Sequence, residues 1–206
     1  MKGRAYMIIG LDFDNTIVSY EDVFYDVALE DGYIDESVAR SKIAVRDDLR
    51  ARDMEDIWTR IQGYVYGACL DRVNIFPGVI DFLRWAQESR IEVVIVSHKT
   101  RYPFVGPRYD LHQAAQEFIK SKLRDGQNSL IMSENVNFRE TKEEKIILIG
   151  EIGCDAFIDD LPEILLAPTF PSTTRRFLFD PEGSHKSLED IVSVKSWDQF
   201  MECLKS

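Results

Sequence analysis

The stretch Tyr6-Met7-Ile8-Ile9-Gly10-Leu11-Asp12-Phe13-Asp14-Asn15-Thr16 decides how this chain is read. An apolar run ends in two carboxylates spaced one residue apart. Burying an unpaired carboxylate is costly, and aspartate is seldom found inside a protein without a partner. The pair therefore asks for a cation, at the end of what reads as the first strand.

Working outward, short apolar runs alternate with amphipathic ones. This predicts an α/β class, a Rossmann-like, mostly parallel sheet with helices on both faces. The first strand is Tyr6 to Asp12. Val79, Phe82, Leu83 and Ala86 fall at i, i+3, i+4 and i+7 behind Pro77, the spacing and start signal of a helix. Ile91 to Val96 is nearly continuous and β-branched, as a strand covered on both faces should be, and it ends at Ser97. Leu111, Ala114, Ala115, Phe118 and Ile119 repeat the helical stripe, and Ser129 to Met132 reads as a short strand. Thr141-Lys142-Glu143-Glu144 has the form of a capping box, which puts Lys142 on the first turn of a helix running toward Gly150. Ala156-Phe157-Ile158 leads into a second acidic pair, Asp159-Asp160, before Leu161-Pro162 opens another helix. Arg176 to Phe179 is read as the last strand, and Ser196-Trp197-Asp198-Gln199 as a second capping box, opening the C-terminal helix.

Residues 20–73 break this alternation. They hold helical patterns, no convincing strand, and the aromatics Phe24, Tyr25, Tyr33, Trp58, Tyr64 and Tyr66. They read as a helical insertion, with residues 1–19 and 74–206 forming one core. The insertion carries 7 basic against 13 acidic residues, a net of −6, so its bulk charge does not draw anions in.

Composition excludes several partners. The formal charge of −11 opposes binding to nucleic acid or to an anionic membrane, so an anionic ligand must be held by local cations. No run approaches the ~20 apolar residues that cross a bilayer, and the early entry into a strand-like segment leads us to expect no signal peptide. Cys69, Cys154 and Cys203 are few, scattered and odd in number, which suits a reducing compartment and gives no zinc-like cluster. The expectation is a cytoplasmic protein.

In a parallel α/β sheet, ligands bind at the carboxyl ends of the strands. Asp12 and Asp14, Ser97, Lys142, and Asp159 with Asp160 all fall at strand ends or at a helix start. Four carboxylates, a hydroxyl and an ammonium suit a magnesium ion together with a phosphate. Each feature alone is weak, and it is their order that carries the inference.

That order, Asp12-Phe13-Asp14-Asn15-Thr16, then Ser97, Lys142 and Asp159-Asp160, resembles the four motifs of the haloacid dehalogenase-like (HAD) superfamily across nearly the whole chain. The resemblance implies a Rossmann-like core with a helical cap between the first two motifs, where residues 20–73 lie. It implies Asp12 as a nucleophile forming an aspartyl-phosphate, and Asp14 as general acid and base. It further implies Mg2+ on Asp12, Asp14 through its carbonyl, Asp159 and Asp160, with Thr16, Ser97 and Lys142 on the phosphoryl oxygens. An acidic residue at position 14 separates phosphate-ester chemistry from the superfamily's dehalogenases and transport ATPases. The implied activity is hydrolysis of a small phosphorylated metabolite, a sugar phosphate or nucleotide; transfer to a hydroxyl acceptor, or a non-catalytic binding role, are the alternatives.

Two points stay open in the sequence. Lys145, one turn beyond Lys142, is the alternative lysine, with Lys142 preferred. His98, Lys99 and Arg101 make the segment after Ser97 unusually cationic and are candidates to grip a leaving group or a second anionic moiety. Arg46, Arg50, Tyr64 and Tyr66 are further candidates in the insertion. His112 and His185 are read as structural.

Overall fold

A computed structural model describes residues 6–206 of the chain. In chain order its elements are β1 (Ile8–Leu11), β2 (Val18–Ser19), α1 (Glu21–Glu30), α2 (Lys42–Ala51), α3 (Glu55–Ala68), β3 (Asn74–Ile75), α4 (Val79–Glu88), β4 (Glu92–His98) and α5 (Leu111–Lys122). There follow β5 (Arg124–Asp125), β6 (Asn128–Ser129), β7 (Val136–Arg139), α6 (Lys142–Ile152), β8 (Ala156–Asp159), α7 (Pro162–Leu165), β9 (Arg175–Phe179), β10 (Ile191–Val194) and α8 (Trp197–Lys205). Six strands form one sheet in the order β10-β9-β8-β1-β4-β7, and every pairing in it is parallel. The α/β, Rossmann-like class read from the alternation is the one observed.

The period of two along each strand sorts side chains between two cores. Ile9 and Leu11 of β1, Val93 and Ile95 of β4, Ala156 and Ile158 of β8, and Phe177 and Phe179 of β9 join the larger core. Ile8, Val94, Val96, Phe157 and Leu178 face the smaller one, beneath α6 and α7. Gly10 is required on that second face, because a Cβ there would lie 2.4 Å from the Phe157 ring. Helices thus cover both sides of β1, and Asp12 emerges where β1 stops.

Several boundaries differ from the sequence reading. Ser97 lies inside β4, which runs on to His98. The segment Ser129 to Met132 is not a sheet strand: β6 is a two-residue arm of a hairpin with β5. The sheet edge is instead β7, whose Val136-Asn137-Phe138-Arg139 carries only two apolar residues. Nor is Arg176 to Phe179 last, since β10 follows it and pairs with it. The Thr141 capping box forms as expected, with Glu144 reaching back to the cap amide. The second box is half formed: Ser196 accepts from the Gln199 amide, but the Gln199 side chain accepts from Lys195 N.

Between β2 and β3, which pair antiparallel, the chain departs into α1, α2 and α3 and returns to the adjacent register position, Ser19 opposite Asn74. Among the described residues no helix is long and apolar enough to cross a membrane. At the other end of the chain, Trp197 is fully buried against Phe82, Phe179 and Phe200, and its Nε1 donates to the Thr16 carbonyl at 3.1 Å. The helix α8 thereby braces the loop that follows Asp14.

This contact makes a direct prediction. Trp197→Phe keeps most of the packing but orphans a buried carbonyl, so urea unfolding should show a loss of about 1–3 kcal/mol. Trp197→Ala should lose about 3–5 kcal/mol.

Candidate active site

Four chain segments converge at the carboxyl ends of β1, β4 and β8. Asp12 follows β1, and its amide donates to the Ile158 carbonyl at 2.9 Å, which locks the two strand ends together. Asp12 Oδ1 accepts from Ser97 Oγ at 2.9 Å and from Lys145 Nζ at 2.6 Å. Lys145 Nζ also donates to Asp159 Oδ2 at 2.6 Å, and Asp159 Oδ1 accepts from Leu161 N at 3.0 Å. Asp12, Ser97, Lys145 and Asp159 are all buried.

The lysine that joins the carboxylates is Lys145, correcting the preference for Lys142. Thr141 caps α6 as expected, so Lys142 is its first residue and projects outward to pair with Glu163. Lys145 lies a turn later on the stripe shared with Ile149, the face that meets the strand ends. Counting back four from the buried Ile149 is the sequence signal that finds it.

Electrostatics mark this cluster as short of positive charge. Burial raises the Asp159 carboxyl to about 6, with Asp12 adding to the rise and Lys145 opposing it. Burial likewise raises Asp160 well above the usual carboxylate range, and Asp12 and Asp159 push it further. Burial by itself would lower the Lys145 ammonium, but the Asp12 and Asp159 carboxylates outweigh it and raise its pKa. Asp12, Asp159 and Asp160 each offer an oxygen, all within 4.8 Å of one another. Hard oxygen donors so close together fit Mg2+, which prefers one or two carboxylates alongside water and phosphate oxygens.

Asp14 sits in a second group. Its Oδ1 accepts from the buried Tyr20 Oη at 2.6 Å, and its Oδ2 is 2.7 Å from Lys99 Nζ. Lys99 is almost fully buried, and its ammonium lies 4.8 Å from the centre of the Tyr66 ring. The His112 ring donates from Nε2 to the Lys99 carbonyl at 2.7 Å, so a histidine read as structural holds the backbone of a site lysine. Asn15, between Asp14 and Thr16, has a left-handed φ of 58°, which turns the chain sharply there. Thr16 Oγ1 is buried without a hydrogen-bond partner in the described structure, an orphaned donor beside the carboxylates in sequence.

The other candidates disperse. His98 Nε2 donates to the Glu140 carbonyl, and the Arg101 guanidinium pairs with Asp110 at an exposed position. Lys99 alone of the three reaches a carboxylate of the group. Arg46 and Arg50 are spent on Asp47 and Glu55, and Tyr64 stacks near Tyr109. Tyr66 does reach the site, against Tyr20 and Lys99. Lys42, at the first position of α2, was not anticipated. Its Nζ donates to Tyr66 Oη at 3.0 Å.

No protein-family model matches the sequence, and no curated protein sequence does. Solved structures do match in shape. A HAD-superfamily hydrolase from Ehrlichia chaffeensis is 16% identical, with 96% of this chain and 95% of that chain covered at a TM-score of 0.58. A HAD phosphatase from Thermococcus onnurineus is 14% identical over 96% and 97% of the two chains, also at 0.58. A HAD family hydrolase from Deinococcus radiodurans R1, solved with bound phosphate and sodium, is 13% identical over 97% and 95% at 0.59. Dehalogenases are among the similar structures as well. The chain therefore has the fold of the HAD-superfamily hydrolases.

The two lysines of α6 should behave oppositely in metal-free buffer. Lys145→Met leaves two buried carboxylates unpaired and should cost about 3–5 kcal/mol in denaturant unfolding. Lys142→Met breaks an exposed pair and should cost about 0–1 kcal/mol.

Proposed function

We propose that the chain is a magnesium-dependent phosphomonoesterase working through an aspartyl-phosphate on Asp12. The observation that carries this is the buried Asp12 carboxylate, held through one oxygen by Ser97 and Lys145, with two further carboxylates within 4.8 Å. Fixing one oxygen leaves the other to face a substrate. Asp14, two residues on, supplies the separate acid that ester hydrolysis needs and halide displacement does not.

Asp12, the Asp14 carbonyl, Asp159 and Asp160 would hold the metal. When bound, it neutralises charge between carboxylate and phosphate, which otherwise repel strongly in a low-dielectric site. Thr16 Oγ1, Ser97 Oγ and Lys145 Nζ donate to the phosphoryl oxygens, in place of the Lys142 that the motif order suggested. The Asp12 oxygen attacks phosphorus as the bond to the leaving oxygen breaks, and Asp14 delivers a proton to that oxygen. Asp14 then takes a proton from water as the water attacks phosphorus, releasing phosphate and restoring Asp12. For either step Asp14 must free an oxygen from Tyr20 or Lys99.

In this reading residues 20–73 act as a cap over a core of residues 1–19 and 74–206. The substrate is a small phosphorylated metabolite, a sugar phosphate or nucleotide, and the few, scattered cysteines together with the acidic charge balance support a cytoplasmic setting without nucleic-acid or membrane partners.

Hydrolysis of p-nitrophenyl phosphate tests the proposal. Activity should require Mg2+ and vanish with EDTA, and both Asp12→Asn and Asp14→Asn should fall by at least ~100-fold in kcat. Wild-type activity retained in Asp12→Asn would overturn the mechanism. Phosphate appearing on an added alcohol would redirect the reading to a transferase.

A further inference from the structure

Three ammonium groups approach the carboxylate cluster, and they are not equivalent. Lys145 has Asp12 and Asp159 at hydrogen-bond distance, and Lys99 has Asp14. Lys42 has no carboxylate at ion-pair distance among the described residues. Its Nζ instead rests on Tyr66 Oη at 3.0 Å and lies 5.3 Å from the centre of the Phe24 ring, with Asp14 and Asp160 acting on it only at longer range. A half-buried ammonium held by a phenol and aromatic faces has a charge to offer to a ligand.

Its position says which part of a ligand. Tyr66 packs edge-on to Tyr20 with ring centres 4.9 Å apart, and Tyr20 hydrogen-bonds Asp14. Lys42 is thus linked to Asp14 through Tyr66 and Tyr20, with Asp160 also acting on it, while Ser97 from β4 and Lys145 from α6 hold Asp12. If Asp14 protonates the leaving oxygen, the leaving group lies toward Lys42. Residues 20–73 carry a net of −6, so an anion is admitted here by this side chain and not by bulk attraction.

We infer that Lys42, positioned by Tyr66, binds a second anionic group on the leaving portion of the substrate. The preferred class is then a phosphomonoester bearing a carboxylate or second phosphate a few atoms from the ester oxygen, over a neutral sugar phosphate. This rests on the phosphatase reading for its kinetics, but its binding consequence does not depend on turnover.

The test compares 2-carboxyethyl phosphate, ethylene glycol bisphosphate and n-butyl phosphate with Mg2+ present. Wild type should favour at least one charged ester over n-butyl phosphate by ~10-fold or more in kcat/KM, and which of the two leads distinguishes carboxylate from phosphate. Lys42→Gln should lose that advantage through KM and change n-butyl phosphate turnover by less than ~3-fold, with Lys42→Arg retaining most of it. Tyr66→Phe keeps the ring but removes the hydroxyl that holds Lys42, and should raise KM more for the charged ester than for n-butyl phosphate, marking a positioning residue. Equal losses on all three esters would show that Lys42 serves the phosphoryl group, and would overturn the inference. So would a wild type without preference. Calorimetry with 3-phosphonopropionate and butylphosphonate separates the two proposals. If no ester is hydrolysed but wild type binds the carboxylated phosphonate ~10-fold more tightly and Lys42→Gln does not, the subsite stands and the phosphatase reading falls. Equal binding of both phosphonates by wild type overturns the subsite.

Discussion

The Lys145 ammonium between Asp12 and Asp159 is the interaction on which the rest of this structure depends. Two strands, β1 and β8, lie side by side and end in aspartates, an arrangement that is repulsive without a cation between them. Lys145 supplies it from α6, whose start is fixed by the Thr141 box one turn earlier. The sheet register, the helix cap and the site are thus a single geometric solution. Shifting α6 by one residue would rotate the stripe of Lys145 and Ile149 by about 100° away from the strand ends and leave the carboxylates facing each other.

A single ammonium does not balance the group. Asp159 and Asp160 are both raised, chiefly by burial, even with Lys145 present. Burial that strains a cluster of carboxylates favours a compact cation of high charge, which is what the proposed metal would supply to an incoming phosphate. Asp14 has its own pair of partners, Tyr20 and Lys99. Two aspartates two residues apart therefore have different partners, the basis for the different roles proposed for them.

The parts of this design visible in the sequence are those set by local rules. The strand-ending aspartates, the position of Ser97 and the Thr141 box follow from runs, spacing and caps. What escaped was decided by contacts between distant segments. The edge strands β7 and β10 are four residues each and show no clean alternation, β10 leaving both Val192 and Ser193 exposed. The choice between Lys142 and Lys145 depended on helix phase, which the cap fixes only once the buried face is known. Lys42 carries no local signal at all: it matters because α2 meets α3, and α3 brings Tyr66 beside Lys99. Conversely, Arg101 looked well placed beside Ser97 and is drawn away by Asp110, nine residues on.

The small ribbon of β2 and β3 has a consequence of its own. The entropy of closing a loop grows only with the logarithm of its length, and here the two ends are already pinned by paired backbone at Ser19 and Asn74. Helices could be added to or removed from the excursion at little cost to the sheet, because none of its residues contributes a strand to it. The chain thereby separates what must stay constant from what is free to vary. In the proposed reading, reaction chemistry would be written in the strand ends, and the choice of molecule in an excursion whose length the scaffold can vary.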